Sequence, residues 1–421
     1  MTAPHVAESR RARLRQMNLA SPAFKDDPFA FCAEMRAHEP VLQVRLPTRE
    51  RVWLVARYDD VVTVFRDDRF SKDPRVAMTE EQQAKQPWSP RFLQPFTQSM
   101  QSADGARHAR LRGLVQKAFT PRMLEAMPQH AERVAHRLLD RVQAKGQMDL
   151  VRDFAMPLPL TMICEMLGIP SRQRPRFHRY VHSLFSTPDG PAFLRVIPNL
   201  ARLYFWVRDM RSLLVERRSH PRDDLISTLV EAEEAGDRLD PDESLAMLTL
   251  LISAGFETTA NLISGSAMSL LRNPEQLELL RRDTDGHIKP AIEEFLRYIT
   301  PADASTLWYA REDISMAGVT IPRGEMVSGL LISANFDDSR FDDPMALDIT
   351  RRPNKHLAFG VGRHHCLGAA MARIECQVAL EVLLERCPDL RLANPQAPLQ
   401  WRRALGFRGL DSLPVLFSNR G

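Results

Sequence analysis

One segment decides what kind of fold this chain can adopt: LDPDESLAMLTLLISAGFETTANLISGSAMSLLRNP, from Leu239 to Pro274. Asp240 suits a helix N-cap, Pro241 the first helical position, and Glu243 completes a capping box. No further proline intervenes before Pro274. The segment is apolar on nearly every face, so a helix here has no side to give to water and must be buried among other elements. A chain built around such a helix is mainly α.

Other segments agree. The stretch DPFAFCAEMRAHEP predicts a helix starting near Asp27 and Pro28, RVWLVARY a strand, and DDVVTVFRD a helix. Residues 71–103, rich in Pro, Gln and Ser, read as a long loop, and long loops inside compact domains tend to be functional. Helices are expected from about Ala106 to Lys145 and from Pro159 to Leu167. Two more lie between 175 and 215, broken by FSTPDGPAF, and a shorter one starts at Pro290. WYAREDISMAGVTIPRGEMVSGLLIS alternates and carries Gly and Pro turns, so it predicts β-hairpins. After Cys366, Leu367, Met371, Ile374, Val378 and Val382 recur at helical spacing until Pro388. The fold class is mainly α with a minor β part. One domain over residues 1–421 is expected, with 1–20 a flexible N-terminus.

Bulk properties narrow the function. Lys plus Arg is 57 and Asp plus Glu 53, a net charge of +4, too even to imply nucleic acid. The five cysteines are widely spaced with no CxxC pair, which argues against a disulfide framework, a cysteine-based zinc site and covalent heme attachment. The pattern fits a reducing cytoplasm. Arginines near the N-terminus lack an apolar run behind them, so no secretory signal is read, an organelle transit peptide being the weaker alternative. The longest apolar stretch, Leu245 to Phe256, is too short to span a bilayer, and no membrane is expected.

Four local patterns bear on chemistry. Cys366 lies where a loop with Gly360 and Gly362 becomes a helix, with Gly368 two residues on. Glycines let a backbone approach something closely, while Arg363, His364, His365 and a helix start favour a thiolate. A thiolate is either a nucleophile or a metal ligand. In AGFETTA, a threonine hydroxyl can bond back to the carbonyl of Ala254 and bend the helix, and a buried Glu257 needs a partner. That segment is either a kinked core helix or a proton relay. Glu294 and Arg297 share a helix face, in isolation most often a surface ion pair. His108 and Arg112 read in isolation as a solvated basic face.

Together these features resemble the cytochrome P-450 superfamily of heme-thiolate monooxygenases, closest to soluble bacterial members, over roughly residues 20 to 418. Phe359, Gly362, His364, Cys366 and Gly368 meet the heme-loop pattern. Ala254, Gly255, Glu257, Thr258 and Thr259 meet the acid-threonine pattern, Glu294 and Arg297 the ExxR pattern, and His108 and Arg112 the His-x-x-x-Arg pattern. The resemblance implies a single triangular fold with heme b (iron protoporphyrin IX) between the long central helix and the cysteine-loop helix. It implies Cys366 as axial iron ligand, pushing electron density toward O–O cleavage. Phe359, Gly360 and Gly368 would shape the cofactor loop, and His108, Arg112, His364 and, more weakly, His356 would pair with the heme carboxylates. Ala254 and Gly255 would leave room for O2, and Glu257 and Thr258 would deliver protons. Glu294 and Arg297 would be structural. Three departures stand out. Ala346 occupies the place of a meander arginine, a role Arg351 can take. Trp308 stands where many bacterial relatives carry another carboxylate-binding arginine, and Phe336 replaces a residue often polar.

The implied reaction is insertion of one oxygen atom of O2 into an apolar substrate, a terpenoid, steroid, fatty acid or macrolide-like molecule. Ferredoxin and an NAD(P)H-dependent ferredoxin reductase would supply electrons, steered by Arg110, Arg112 and Arg363, and the protein would be a monomer. A peroxygenase, a heme-based isomerase or dehydratase, and a non-catalytic heme protein are the rivals, and the acid-threonine pair disfavours all three. Phe92, Phe96, Leu250, Ala254, Ala302, Ser305 and Phe407 are the substrate-contact candidates, with Asp303 and Thr306 adding polar recognition.

Overall fold

The capped segment forms a single helix, Pro241–Arg272, of 32 residues. Asp240 accepts from the N–H groups of Asp242 and Glu243, at 2.8 and 2.7 Å, and Glu243 reaches back to the Asp240 N–H. This central helix belongs to a computed structural model that describes residues 3–46, 50–85, 97–119, 121–170, 172–174, 177, 192–234 and 239–418. The apolar stretch Leu245–Phe256 is thus part of a helix that by length and composition could cross a bilayer. However, 67% of its most apolar window is buried inside the protein.

What buries it is a set of helices whose apolar stripes converge. Ala369–Arg386, which follows Cys366, packs against the central helix, against Pro121–Gln143 and against Thr284–Ile299. Leu262 and Ile263, Phe295 and Ile299, Leu380 and Leu383, and Leu138 and Leu139 share one core. A second core joins the other end of the central helix, through Leu245, Leu248 and Ile252, to helices Pro157–Met166 and Ala192–Ser219.

The β part lies to one side. Its main sheet runs Val41–Arg45, Arg51–Val55, Met326–Gly329, Trp308–Ala310, Phe70–Ser71. Arg51–Val55 pairs in parallel with Met326–Gly329, and the other pairings are antiparallel. Ser71 stands opposite Tyr309 in the last pair, which carries Lys72 alongside Trp308. A short hairpin, Gln400–Trp401 with Leu410–Ser412, touches the central helix. Gly409 beside it must lack a side chain, because a Cβ there would run into Asn261.

Four expectations are corrected. Residues 3–20 are not a flexible tail. Ala3–Arg15 is helical, Leu14 and Leu19 are buried, and Arg11 pairs with Glu39 and Arg13 with Glu34. Residues 71–103 are not one structureless loop. They include helices Pro74–Ala77, capped by Asp73, and Glu80–Ala84, capped by Thr79 in a capping box with Gln82. The helix expected to start at Pro290 begins six residues earlier, at Thr284, because Asp283 caps it by accepting the Gly286 N–H. Proline is tolerated inside, losing one hydrogen bond. Of the two helices expected between 175 and 215, the second is Ala192–Ser219 and the first falls outside the described residues.

Glu375, on the helix after Cys366, is buried, its Oε2 has no hydrogen-bond partner, and burial pushes its carboxyl up to about 8. The folded chain therefore holds this proton more tightly than the unfolded chain, where a glutamate titrates near 4.3. Its contribution to stability is complete below about pH 4 and is lost as pH rises through about 8. Glu375→Gln is expected to flatten the fall in thermal midpoint between about pH 4 and pH 8. A slope identical to that of the parent protein in thermal melts would show that Glu375 does not set it.

Candidate active site

The loop ahead of Cys366 is shaped by backbone bonds. Its N–H donates to the Phe359 carbonyl at 2.9 Å, and Gly360 N–H donates to Leu357 at 2.9 Å. Gly362 has φ of +78°, and a Cβ on it would stand 3.0 Å from the Phe65 carbonyl, so the close approach to helix Tyr58–Arg66 requires glycine. Phe359 lies under the Arg373 guanidinium, 4.6 Å from its ring centre. Cys366 is exposed while the other four cysteines are buried, and all five are free thiols. Burial pushes the Cys366 thiol up, against the pull of a Gly368 N–H on the sulfur and the charges of Arg112 and Arg373. These groups do not by themselves hold a thiolate, whereas a coordinated metal ion deprotonates such a thiol outright.

Leu367 ties this loop to the central helix, packing in one cluster with Leu250 and Leu251 and with Leu111, Leu114 and Val115 of helix Gly105–Ala118. Along the central helix burial is interrupted at Ala254 and Gly255, which are exposed, and Thr258 is half-buried, although their neighbours Phe256, Glu257, Thr259 and Ala260 are buried. Thr258 Oγ1 donates to the Ala254 carbonyl at 2.8 Å, the bond its spacing predicts, and Thr259 Oγ1 to Gly255 at 3.0 Å. Glu257 points elsewhere. Its Oε1 lies 3.2 Å from Arg402 Nη1, its Oε2 has no partner, and burial raises its carboxyl while Arg402 pulls it down. Arg402 also donates to Asn261 at 2.6 Å. Nothing in the sequence signals Arg402, which lies on a distant hairpin.

Helix Gly105–Ala118 presents His108 to His364, their ring centres 4.2 Å apart. His108 Nε2 is buried without a hydrogen-bond partner, Arg363 Nε has only the Asp104 carboxylate at 3.7 Å, and Arg112 has no hydrogen bond or ion pair among the described residues. Burial, then His364 and Arg112, push the His108 imidazole down to about 4. Asp104 is the carboxylate that faces His364, and Asp68 binds Arg363 from outside. Burial alone would raise Asp104, but His364, Ser71 and the N–H groups of Asp73 and Lys72 hold it well below the usual range. This cluster has more cationic donors than acceptors.

Glu294 and Arg297 are not on the surface. Both are fully buried, joined by bonds of 2.8 and 2.7 Å. Arg297 also donates to the carbonyls of Asn335, Pro344 and Ala346, and Glu294 accepts from Asp348 N–H, Asn354 and Arg351. Arg351 Nε, at 3.2 Å, stands where Ala346 offers nothing. Phe336, 1% exposed, covers the Arg297 guanidinium at 5.1 Å, which accounts for an apolar residue there.

Several other predicted residues are engaged differently. His356 does not join His108 and His364; its ring bonds to Glu293 at 3.1 Å, a carboxylate that Arg373 also grips. Asp303 is not available for recognition, being buried in an ion pair with Lys25. Ser305 spends its hydroxyl on the Thr306 carbonyl and the Gly329 N–H, both at 3.0 Å, and Thr306 holds Lys72. Arg110 is bound by Glu243 and Arg363 by Asp68, so the positive face expected of them with Arg112 is partly neutralised. Ala302 and Phe407 are half-buried, and Phe92 and Phe96 lie outside the described residues.

The residues fit a flat, dianionic metal macrocycle. One sulfur faces out of a loop, two small residues open the helix surface, and unpaired donors gather at one edge. No group of three or more His, Cys, Asp or Glu side chains gathers for a metal among the described residues, so Cys366 suits an iron whose remaining ligands come from an organic ring. The comparisons agree. The family model described as Cytochrome P450 matches residues 201–394. Cytochrome P450 CYP107DY1 of Priestia megaterium is 40% identical over 412 residues, 95% of this chain and 98% of that protein. Mycinamicin IV hydroxylase/epoxidase of Micromonospora griseorubida is 40% identical over 391 residues, 91% of this chain and 94% of that protein. The structure of myxobacterial cytochrome P450 CYP267B1 in complex with myristic acid superposes with a TM-score of 0.88 at 38% identity, covering 95% of this chain and 98% of that one.

Arg297→Met leaves Glu294 buried with one guanidinium partner instead of two, and is expected to cost about 3–5 kcal/mol. Denaturant unfolding checks this, and a loss below about 1 kcal/mol, the scale of a surface pair, would mean that the ion pair anchors nothing.

Proposed function

The chain belongs to the cytochrome P450 family of heme b monooxygenases, and from that premise we propose that Cys366 would hold the heme iron through its sulfur and that the central helix would supply the path for protons. The product is an apolar small molecule of the terpenoid, steroid, fatty-acid or macrolide kind carrying one oxygen atom from O2. The single observation that carries this reading is the sulfur of Cys366, exposed at a helix start on a loop bonded to the central helix's apolar cluster while every other cysteine is buried.

Heme b, when bound, supplies the iron at which O2 is reduced and cleaved, helped by an electron-donating thiolate. This chain's residues do the rest. The Gly368 N–H on the sulfur tempers its donation. His108, Arg112 and His364 would hold the heme carboxylates, which would supply the acceptor that the orphan His108 Nε2 lacks. Ala254 and Gly255 keep the helix surface clear. Thr258 donates a hydrogen bond to Ala254 O, so its oxygen lone pairs would be left to accept from a water on the open face of the helix. Glu257, its carboxyl raised by burial, holds a proton to higher pH than a surface glutamate, and Arg402 keeps it oriented. A carboxyl poised closer to neutrality transfers protons better.

Leu250, Ala254, Ala302 and Phe407 support an apolar substrate surface. The named reactions of the relatives, on mycinamicin IV in one and with myristic acid bound in another, support the substrate classes without choosing among them. Electrons come from a ferredoxin and its NAD(P)H-dependent reductase. The free thiols support a reducing compartment, and we place the enzyme in the cytoplasm as a monomer.

Thr258→Ala tests the proton route. With ferredoxin, reductase and a substrate that shifts the heme spin state, NADH consumption is expected to continue while peroxide replaces most of the product, a loss in coupling of about tenfold. Coupling equal to that of the unaltered enzyme would contradict the assignment of Thr258.

A further inference from the structure

Lys72 is a buried base for which the described residues offer no ion-pair partner, and burial pushes its ammonium well below the usual lysine range. It is 4% exposed. Its Nζ donates to the Thr306 carbonyl at 2.8 Å, Thr306 Oγ1 at 2.6 Å and the Leu307 carbonyl at 2.9 Å, all neutral acceptors. It sits 4.1 Å from the ring centre of Trp308, a cation–π contact. Among the described residues no carboxylate oxygen lies within ion-pair distance of this ammonium. Burying a cation without an anion is costly, and neutral acceptors and an aromatic face recover only part of that cost.

Its neighbours make the imbalance larger. The Trp308 ring meets His364 edge-on at 5.2 Å, and His364 meets His108 at 4.2 Å. The orphan Nε2 of His108 and Arg112, which has no ion pair among the described residues, belong to the same edge, while Arg363 is already shared between Asp68 and Asp104. Asp104, the carboxylate within reach, already accepts from Ser71 Oγ at 2.5 Å and from the Lys72 backbone N–H at 2.7 Å. A dianion entering at this edge removes the imbalance. The strand register explains why a lysine serves. Ser71 pairs with Tyr309, so Lys72 reaches over position 308 from the neighbouring strand, where Trp308 itself offers no cation.

We infer that Lys72, seated on Trp308 beside His364, is the cation that balances one heme carboxylate in this chain, in place of a basic side chain at 308. This rests on the heme reading above. Its consequence is an exchange of roles between strands: Trp308 offers no cation, so the charge at this edge comes from the neighbouring strand.

The test uses the holoenzyme and two readouts besides turnover, the rate of heme transfer to apomyoglobin and the heme midpoint potential. Lys72→Met keeps the apolar stem and removes the charge. It is expected to speed heme transfer about tenfold, as loss of a charge-assisted contact does, and to lower the midpoint potential, since a lost cation favours the ferric state. Adding Trp308→Arg to that variant is expected to restore both readouts. Lys72→Arg alone should stay near the parent value. Heme transfer unchanged in Lys72→Met overturns the inference. So does a change that Trp308→Arg fails to recover while Lys72→Arg is also impaired, because Lys72 then acts through strand packing alone. Should Lys72→Met fail to fold, the comparison of Lys72→Arg with Lys72→Met/Trp308→Arg decides, retention of heme by both supporting the exchange and loss by either opposing it. A parent protein lacking a thiolate heme spectrum would instead refute the heme reading itself.

Discussion

The Glu294–Arg297 pair is the contact on which the rest of this structure depends. Two opposite charges with no access to water are tolerable only if every lone pair and N–H is matched, and here they are. Arg297 closes on three carbonyls of residues 335–346, and Glu294 on the backbone of Asp348 and the side chains of Arg351 and Asn354. An irregular stretch with no sheet or helix of its own is thereby fixed from inside. Asn335, bound to Arg297 through its carbonyl, accepts the Leu357 N–H through its side chain at 2.7 Å, which passes the constraint to the start of the cysteine loop. The sulfur's position is thus determined by a charge pair that never touches it.

The central helix meets two conflicting demands. Helices on all sides require it to be apolar and close-packed, and chemistry requires a place where packing fails. The conflict is resolved within one turn, where Ala254 and Gly255 present almost no side chain and Thr258 folds its hydroxyl onto the backbone. Glu257, on the buried side of the same turn, is matched from a hairpin near the C-terminus by Arg402, whose approach Gly409 permits.

Much of this was legible in the chain because its signals are local. The capping box at Asp240, the glycines around Cys366, and the threonine bond to Ala254 each involve residues within six positions. What was not legible joins distant segments. Lys25 and Asp303 lie 278 residues apart, and neither carries a local mark of its partner. The same holds for Arg402 with Glu257 and for Lys72 with Trp308. Glu294 and Arg297 read as a surface pair because spacing reports a shared helix face and not what covers it. Pro290 misled for a different reason: proline marks helix starts statistically, but a strong cap at Asp283 outweighs one missing hydrogen bond.

Everything proposed for the site depends on the sulfur of Cys366 holding heme iron as a thiolate. The most direct measurement is the difference spectrum of the reduced protein with carbon monoxide. The expected result is the red-shifted Soret band that gives this family its name, absent in Cys366→Ser. A band at the shorter wavelength of histidine-ligated heme in the freshly purified parent protein, or a red-shifted band that survives in Cys366→Ser, would contradict it.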